Sequence, residues 1–250
     1  MPRTITAGEW RILHGEWRDA GASLTIIATR ESPRHFWRPD VTKLSRILCG
    51  LGALLLVALY FLPLWSIQLF APQYPEGLGM RIHLSTVTGA RPTDLGTINQ
   101  LNHYIGMRPI EPGAIPELRY FPLIVAALVT LGLATALVGK RRLVIAWLAG
   151  LGAFGAAGLL DFWRWSYDFG HNLDVEHAVI RVPGMTYQPP IIGTKQLLNF
   201  SSSSWPDSGA WLAVAAFALG VVALYLDHYR RGATGKAARP AAPRSPRAAA

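Results

Sequence analysis

Seven side chains suited to soft-metal or proton chemistry fall in two proline- and glycine-rich stretches. Met80, His83, His103 and Met107 lie in residues 71–119, and His171, His177 and Met185 in residues 163–209. Thioether and imidazole donors together suit copper, Cu(I) above all. His103 and Met107 are four residues apart, a spacing that points both the same way on a helix. Met80 and His83 are three apart and would face opposite sides of a strand. All seven, Met80, His83, His103, Met107, His171, His177 and Met185, are candidate metal ligands by residue type. None of these spacings has the specificity of a zinc signature, and the same residues serve equally well as hydrogen-bonding histidines and gap-filling methionines.

Asp161, Arg164 and Asp168 follow an i, i+3, i+7 spacing that places all three on one helical face. Such a trio can handle protons or substrate. It can also form an intrahelical salt bridge at a lipid boundary, which is the preferred reading because Phe162, Trp163 and Trp165 surround it as interfacial anchors. Hydrolytic chemistry is poorly served. Ser201–Ser204 lacks the Gly-x-Ser-x-Gly turn of a nucleophile elbow. His171 and Asp174 can orient each other, but no activated nucleophile accompanies them. No phosphate-cradling Gly-x-x-x-x-Gly-Lys-Ser/Thr run occurs. The lone Cys49 excludes an internal disulfide framework, a four-thiolate zinc site and a Cys-x-x-Cys-His haem attachment. A non-enzymatic protein is expected.

The elements that must position these residues are apolar. Of 250 residues, 51% are hydrophobic and only 16% charged, against about 25% charged in an ordinary soluble domain. The deficit is concentrated in four uncharged runs: 47–70, 121–138, 143–160 and 210–226. A helix rising about 1.5 Å per residue crosses a hydrocarbon layer of about 30 Å with some 20 residues. The first run is long enough with tilt. The other three are completed by Tyr120 and Phe121, by Phe162, Trp163 and Trp165, and by Trp211 and Tyr225. Pro63 inside the first run is expected to kink its helix. Forty-six residues precede that run, so it does not read as a cleavable signal peptide.

The charges orient the runs. If both termini and the Gly139–Arg142 link face one side, that side holds 17 of the 24 Lys and Arg residues, as the positive-inside rule requires of a cytoplasmic face. The net charge of +9 is thus a topology signal and an affinity for the lipid surface. No recognition motif accompanies it, and nucleic acid is not an expected partner. The expectation is an all-α membrane protein of four transmembrane helices (2+2 hairpins), N-in and C-in. Residues 1–46 form a cytoplasmic N-terminal segment, 47–228 the membrane domain, and 229–250 a disordered basic tail. The long Pro/Gly-rich outer loops, 71–119 and 163–209, should fold together as a small cap, anchored by Tyr and Trp side chains. Within loop one a strand is expected over 80–87 and a short helix over 97–104, starting near Thr93 or Asp94. Gly96–Tyr104 also resembles Gly193–Phe200 with one residue deleted, a faint sign of a two-fold repeat.

Four stretches carry a family resemblance: Ala71-Pro-Gln-Tyr-Pro-Glu-Gly-Leu78, Asn102-His-Tyr-Ile-Gly-Met107, Asp161-Phe-Trp-Arg-Trp-Ser-Tyr-Asp-Phe-Gly-His171 and Pro183-Gly-Met-Thr-Tyr-Gln-Pro-Pro190. They resemble a family of small bacterial inner-membrane proteins encoded beside nitrous oxide reductase and its copper-maturation genes. The resemblance covers about residues 45–228 and leaves out the N-terminal segment and the tail. It implies an accessory role in denitrification, either in maturation of a periplasmic copper enzyme or in electron supply to it. Copper is the implied metal, contacted by at least one of His103, Met107, His171 and Met185, with His83, His177 and Met80 as a wider set, and a membrane or periplasmic protein of that system is the implied partner. Two other readings stand beside it: a scaffold subunit that binds another membrane protein without metal, and a quinol-linked electron carrier.

Overall fold

The computed structural model describes residues 40–237 apart from 183 and 198. The segment 1–39 and residues 238–250 lie outside the described residues, and with them most of the expected N-terminal segment and tail. The element order is α1 (Lys43–Val57) with a 3-10 turn at Ala58–Tyr60, β1 (Trp65–Ala71), β2 (Tyr74–Ile82), β3 (Val87–Gly89), α2 (Asp94–Tyr104), α3 (Glu117–Val138), α4 (Arg141–His171), β4 (Gly193–Leu197), β5 (Phe200–Pro206) and α5 (Ser208–Ala237). Four of these helices, from 18 to 31 residues counting the turn that extends α1, are long and apolar enough to cross a membrane.

The expectation of an all-α protein is overturned by a five-stranded antiparallel sheet, ordered β3-β2-β1-β5-β4. The uncharged run 47–70 is not one helix. It divides at Phe61-Leu62-Pro63, where the pyrrolidine ring has no N–H to donate and pushes Leu62 away from helical backbone angles. Pro63 therefore ends the helix rather than kinking it. Beyond it, Trp65-Ser-Ile-Gln-Leu alternates with period two and pairs as β1. Strand β1 is central. Ile67 sits opposite Met80 of β2 on one side and Ser204 of β5 on the other. The two outer loops are thus joined by one ladder, and they form one cap as expected.

Other boundaries shift. Helix α4 runs on through His171, so loop two opens nine residues later than the expected 163. At about 1.5 Å per residue its 31 residues reach about 46 Å, more than the thickness of a 30 Å hydrocarbon layer. The basic tail is helical through Ala237. Helix α2 begins at Asp94, where its start signal lay. The supposed strand 80–87 is split, with β2 ending at Ile82 and β3 beginning at Val87. The repeat has no structural counterpart at its matched segments: Gly96–Tyr104 is helical and Gly193–Leu197 extended.

Two cores follow. One joins the long helices through Cys49, Leu56, Val125, Leu128, Val144, Trp147, Leu151 and Ala223. The other lies in the cap, around Ile67, Leu78, Met80, Ile98, Ile110 and Leu118, with Phe162, Trp165 and Phe169 of α4 packed on it. Outward-facing Leu54, Leu123, Leu137, Leu160, Val214 and Tyr225 leave the long helices apolar on their exposed sides, as lipid contact requires. At the end of the bundle away from the cap, the backbone N–H groups of Asp40 and Val41 donate to the Gly139 carbonyl (2.7 and 3.1 Å). There Thr42 N–H and the Ser45 hydroxyl both donate to Asp227, each at 3.0 Å. The start of α1, the α3–α4 link and the end of α5 therefore meet at one end.

Candidate functional site

The cap encloses a cavity of about 110 Å³ between the sheet and the outer turns of α4. Its walls follow from the two local periodicities. Alternate residues of the strands face it: Ile67 and Leu69 of β1, Leu78 and Met80 of β2, Phe200 and Ser202 of β5. From α2 come Ile98, Leu101 and Asn102, followed by Ile105, an i, i+3, i+4, i+7 set on one face. Helix α4 contributes Trp165, Ser166 and Phe169, and loop two contributes Tyr187 and Pro189.

Close backbone approaches hold these walls together. Gly106 adopts φ +78°, and a Cβ there would lie 2.6 Å from the Asp174 carbonyl oxygen. Only glycine lets loop two close against the end of α2, where Asp174 N–H donates to Gly106 O at 2.8 Å and Ile180 N–H to Tyr104 O at 2.9 Å. At Gly170 a Cβ would meet Gln188 N at 2.4 Å. That clearance brings Tyr187 against α4, its N–H donating to Gly170 O at 2.9 Å.

The lining is apolar but not uniformly so. Among the described residues, Asn102 Nδ2, Trp165 Nε1, Ser166 Oγ and Tyr187 Oη are buried without a hydrogen-bond partner. All four residues line this cavity. More than nine in ten buried polar groups normally find a partner, so this convergence marks a site with unfilled hydrogen-bonding capacity. Burial pushes the Tyr187 phenol above its ordinary pKa, keeping it a neutral O–H.

The residues singled out from sequence take varied places. Met80 and Met107 share the cavity wall, so two thioethers are brought together there. His103 is exposed on α2, beside Gly96, Asn99, Gln100 and Tyr104 in a shallow groove. The expected common direction of His103 and Met107 fails because α2 ends at Tyr104. His171 closes α4, with Nδ1 2.9 Å from Tyr167 O and its ring stacked on Tyr167 at 3.9 Å. His177 pairs with Asp174 at 2.9 Å, so Asp174 orients His177 rather than His171. That hydrogen bond holds the Asp174 carboxyl below the usual range. His83 lies 3.2 Å from Thr88 Oγ1. Partial burial, then the Arg81 charge, lowers its pKa. Met185 is half-buried and follows Gly184, which adopts φ +75°. Among the described residues no three of His, Cys, Asp and Glu gather around a point where a metal ion would sit.

Asp161, Arg164 and Asp168 do lie along one helix, α4. The salt bridge runs elsewhere: Arg108 of loop one pairs with Asp168, and its guanidinium lies 4.9 Å over the Phe169 ring. Both partners are half-exposed. Replacing Arg108 with Ala is expected to cost the cap about 1 kcal/mol, the sum of a screened ion pair and a surface cation–π contact. The loss, read by chemical unfolding, should shrink as salt rises.

The cavity escaped sequence reading because several separate segments build it and no motif marks it. The traceable signals were Asn102 and Ser166, polar residues on otherwise apolar helical faces. No protein-family model matches the chain, and no curated protein matches it.

Proposed function

We propose that this chain is a non-enzymatic integral membrane accessory protein serving a periplasmic copper enzyme of the nitrous oxide reductase type, in copper-centre maturation or electron supply. It would sit in the bacterial inner membrane with both termini cytoplasmic and the cap outside. The charge distribution supports that orientation, because 17 of 24 basic residues fall in the termini and the α3–α4 link. The family resemblance supports the pathway.

The observation that carries an accessory role is an apolar surface on the cap. Val175, Val179, Ile180 and Val182, all in one eight-residue stretch of loop two, are exposed, Val179 at 67%. They lie outside the long helices, where lipid does not explain them, and an exposed cluster of this kind suits a protein partner. The cap is also rigidly joined to the bundle. Leu64 N–H donates to Ile82 O at 2.8 Å, Asp207 N–H to Leu64 O at 3.0 Å and Gly209 N–H to Pro63 O at 2.9 Å. A fixed platform suits docking better than a swinging carrier. The dispersal of the histidines favours a second reading, in which the chain holds its partner without binding metal.

Deletion of the chain is expected to lower the activity of the partner reductase. Val179→Asp with Ile180→Asp should reproduce the defect while the protein remains abundant in the membrane. A fall in reductase copper supports maturation, and a fall in turnover at normal copper supports electron supply. Unchanged activity after deletion overturns the proposal.

A further inference from the structure

We propose that the cap cavity is a binding site for a small uncharged molecule with an apolar body and one or two hydroxyl or carbonyl oxygens.

Size, charge and polarity each narrow the ligand. The cavity volume of about 110 Å³ is on the order of the ~150 Å³ apolar cavity that admits benzene. One six-membered ring, or an equally short chain, is the limit. No Lys, Arg, His, Asp or Glu is among the lining residues, so a charged ligand would be desolvated without a counter-charge. The body must be apolar, because Ile67, Leu101 and Phe169 surround it. An oxygen is favoured because four of the lining residues carry buried polar atoms without a partner. Asn102 Nδ2 and Trp165 Nε1 only donate, while Ser166 Oγ and Tyr187 Oη donate or accept. A hydrocarbon would leave all four unsatisfied. A ring bearing a hydroxyl or carbonyl would satisfy at least one of the two obligatory donors.

The groups are held in place independently of any ligand. Asn102 is fixed by its backbone carbonyl, which accepts from Met107 N–H at 2.8 Å. Trp165 packs against Phe169 with ring centres 4.3 Å apart and planes tilted by 31°. Tyr187 is tied to Gly170 through its backbone. Such a pre-formed pocket binds without first paying to order its walls. Loop two, which supplies Tyr187 and Pro189 to the wall, also carries the exposed Val179 and Ile180, so occupancy and docking would share one segment.

The test uses the full chain in detergent micelles, with phenol, cyclohexanone and benzene as probes followed by ligand-detected NMR. Phenol and cyclohexanone are expected to bind, and benzene about tenfold more weakly, the loss set by one neutral hydrogen bond. Asn102→Leu combined with Trp165→Phe removes both obligatory donors and should erase the preference over benzene. Leu101→Trp should fill the cavity and abolish binding of all three, its melting temperature showing that the fold is kept. If Leu101→Trp fails to fold, Leu69→Phe serves the same purpose from the sheet side. Equal affinity for benzene and phenol, binding that survives filling of the cavity, or no binding to the folded wild type overturns the proposal. In that last case the four groups hold only water.

Discussion

Trp147→Ala is expected to collapse the packing of the long helices, with a loss of about 3–5 kcal/mol, the range for deleting a buried large aromatic side chain. Trp147 of α4 is fully buried, at 0% exposure, and its indole N–H donates to Leu128 O of α3 at 3.0 Å. Its ring meets a glycine on each of the other three long helices. A Cβ would lie 2.7 Å from it at Gly52 of α1, 2.8 Å at Gly132 of α3 and 2.8 Å at Gly220 of α5. In lipid little hydrophobic driving force holds helices together, so close packing at small residues carries the association. Removing the indole opens a void that faces all four helices at once. The measurement is unfolding of the purified protein by a denaturing detergent. Gly132→Ala should also destabilise, because its Cβ would crowd both the indole nitrogen and Ala53, each at 2.8 Å. A melting curve unchanged by Trp147→Ala would show that the ring is not the centre of the bundle.

A loss of about 1–3 kcal/mol is expected in the cap from Asp94→Ala. Asp94, 2% exposed, accepts from Gly79 N–H at 2.9 Å, Arg91 N–H at 3.3 Å and Arg91 Nε at 2.9 Å. Arg91 in turn reaches Glu76 at 3.1 Å and the Gly77 carbonyl. One carboxylate thus fixes the first turn of α2 to β2. Arg91 is half-exposed and keeps Glu76, so the cost is that of the lost buried hydrogen bonds, above all the unpaired Gly79 N–H, about 1–3 kcal/mol. The acid limb of stability should change too. Burial by itself would raise the Asp94 pKa, but the Gly79 and Arg91 hydrogen bonds outweigh it and hold the carboxyl below its ordinary value. A group depressed in the folded state adds stability above its unfolded pKa of about 3.9 and loses it as pH falls through the lower folded value. Wild type should therefore weaken below about pH 4, and Asp94→Ala should show a flatter fall. Hydrogen exchange of the β2 and α2 amides reads the effect in the cap separately from the bundle. Equal slopes in the two proteins would remove Asp94 from the account.

Much of the architecture was legible because helices long and apolar enough to cross a membrane write themselves in uncharged runs. The end of α3, the start of α2 at Asp94 and the shared helix of Asp161, Arg164 and Asp168 followed from charge and spacing. The sheet did not. A stretch without charges reads alike as helix or strand, and only Pro63 and the alternation after it separate β1 from α1. Strand β5 is largely Ser201–Ser204, whose small polar side chains give no apolar alternation. They pair because β1 offers a ladder, a fact located far away in sequence. The histidines drew notice by type. The residues that converge on the cavity, Asn102, Trp165, Ser166 and Tyr187, drew none individually, since only the fold brings an amide, an indole and two hydroxyls to one place.

The position of β1 between β2 and β5 also sets a timetable for biogenesis. Trp65 donates its indole N–H to Ser204 across a separation of 139 residues. At roughly 5–20 residues per second of synthesis, β1 emerges on the order of ten seconds before the strand that completes its second edge. During that interval the β1–β2–β3 hairpins would sit at the membrane surface with an open, partly apolar edge, the kind that invites wrong pairing. The closing strand arrives only after the α3–α4 hairpin has been laid down. A nascent chain stalled before Phe200 is therefore the form most in need of a chaperone.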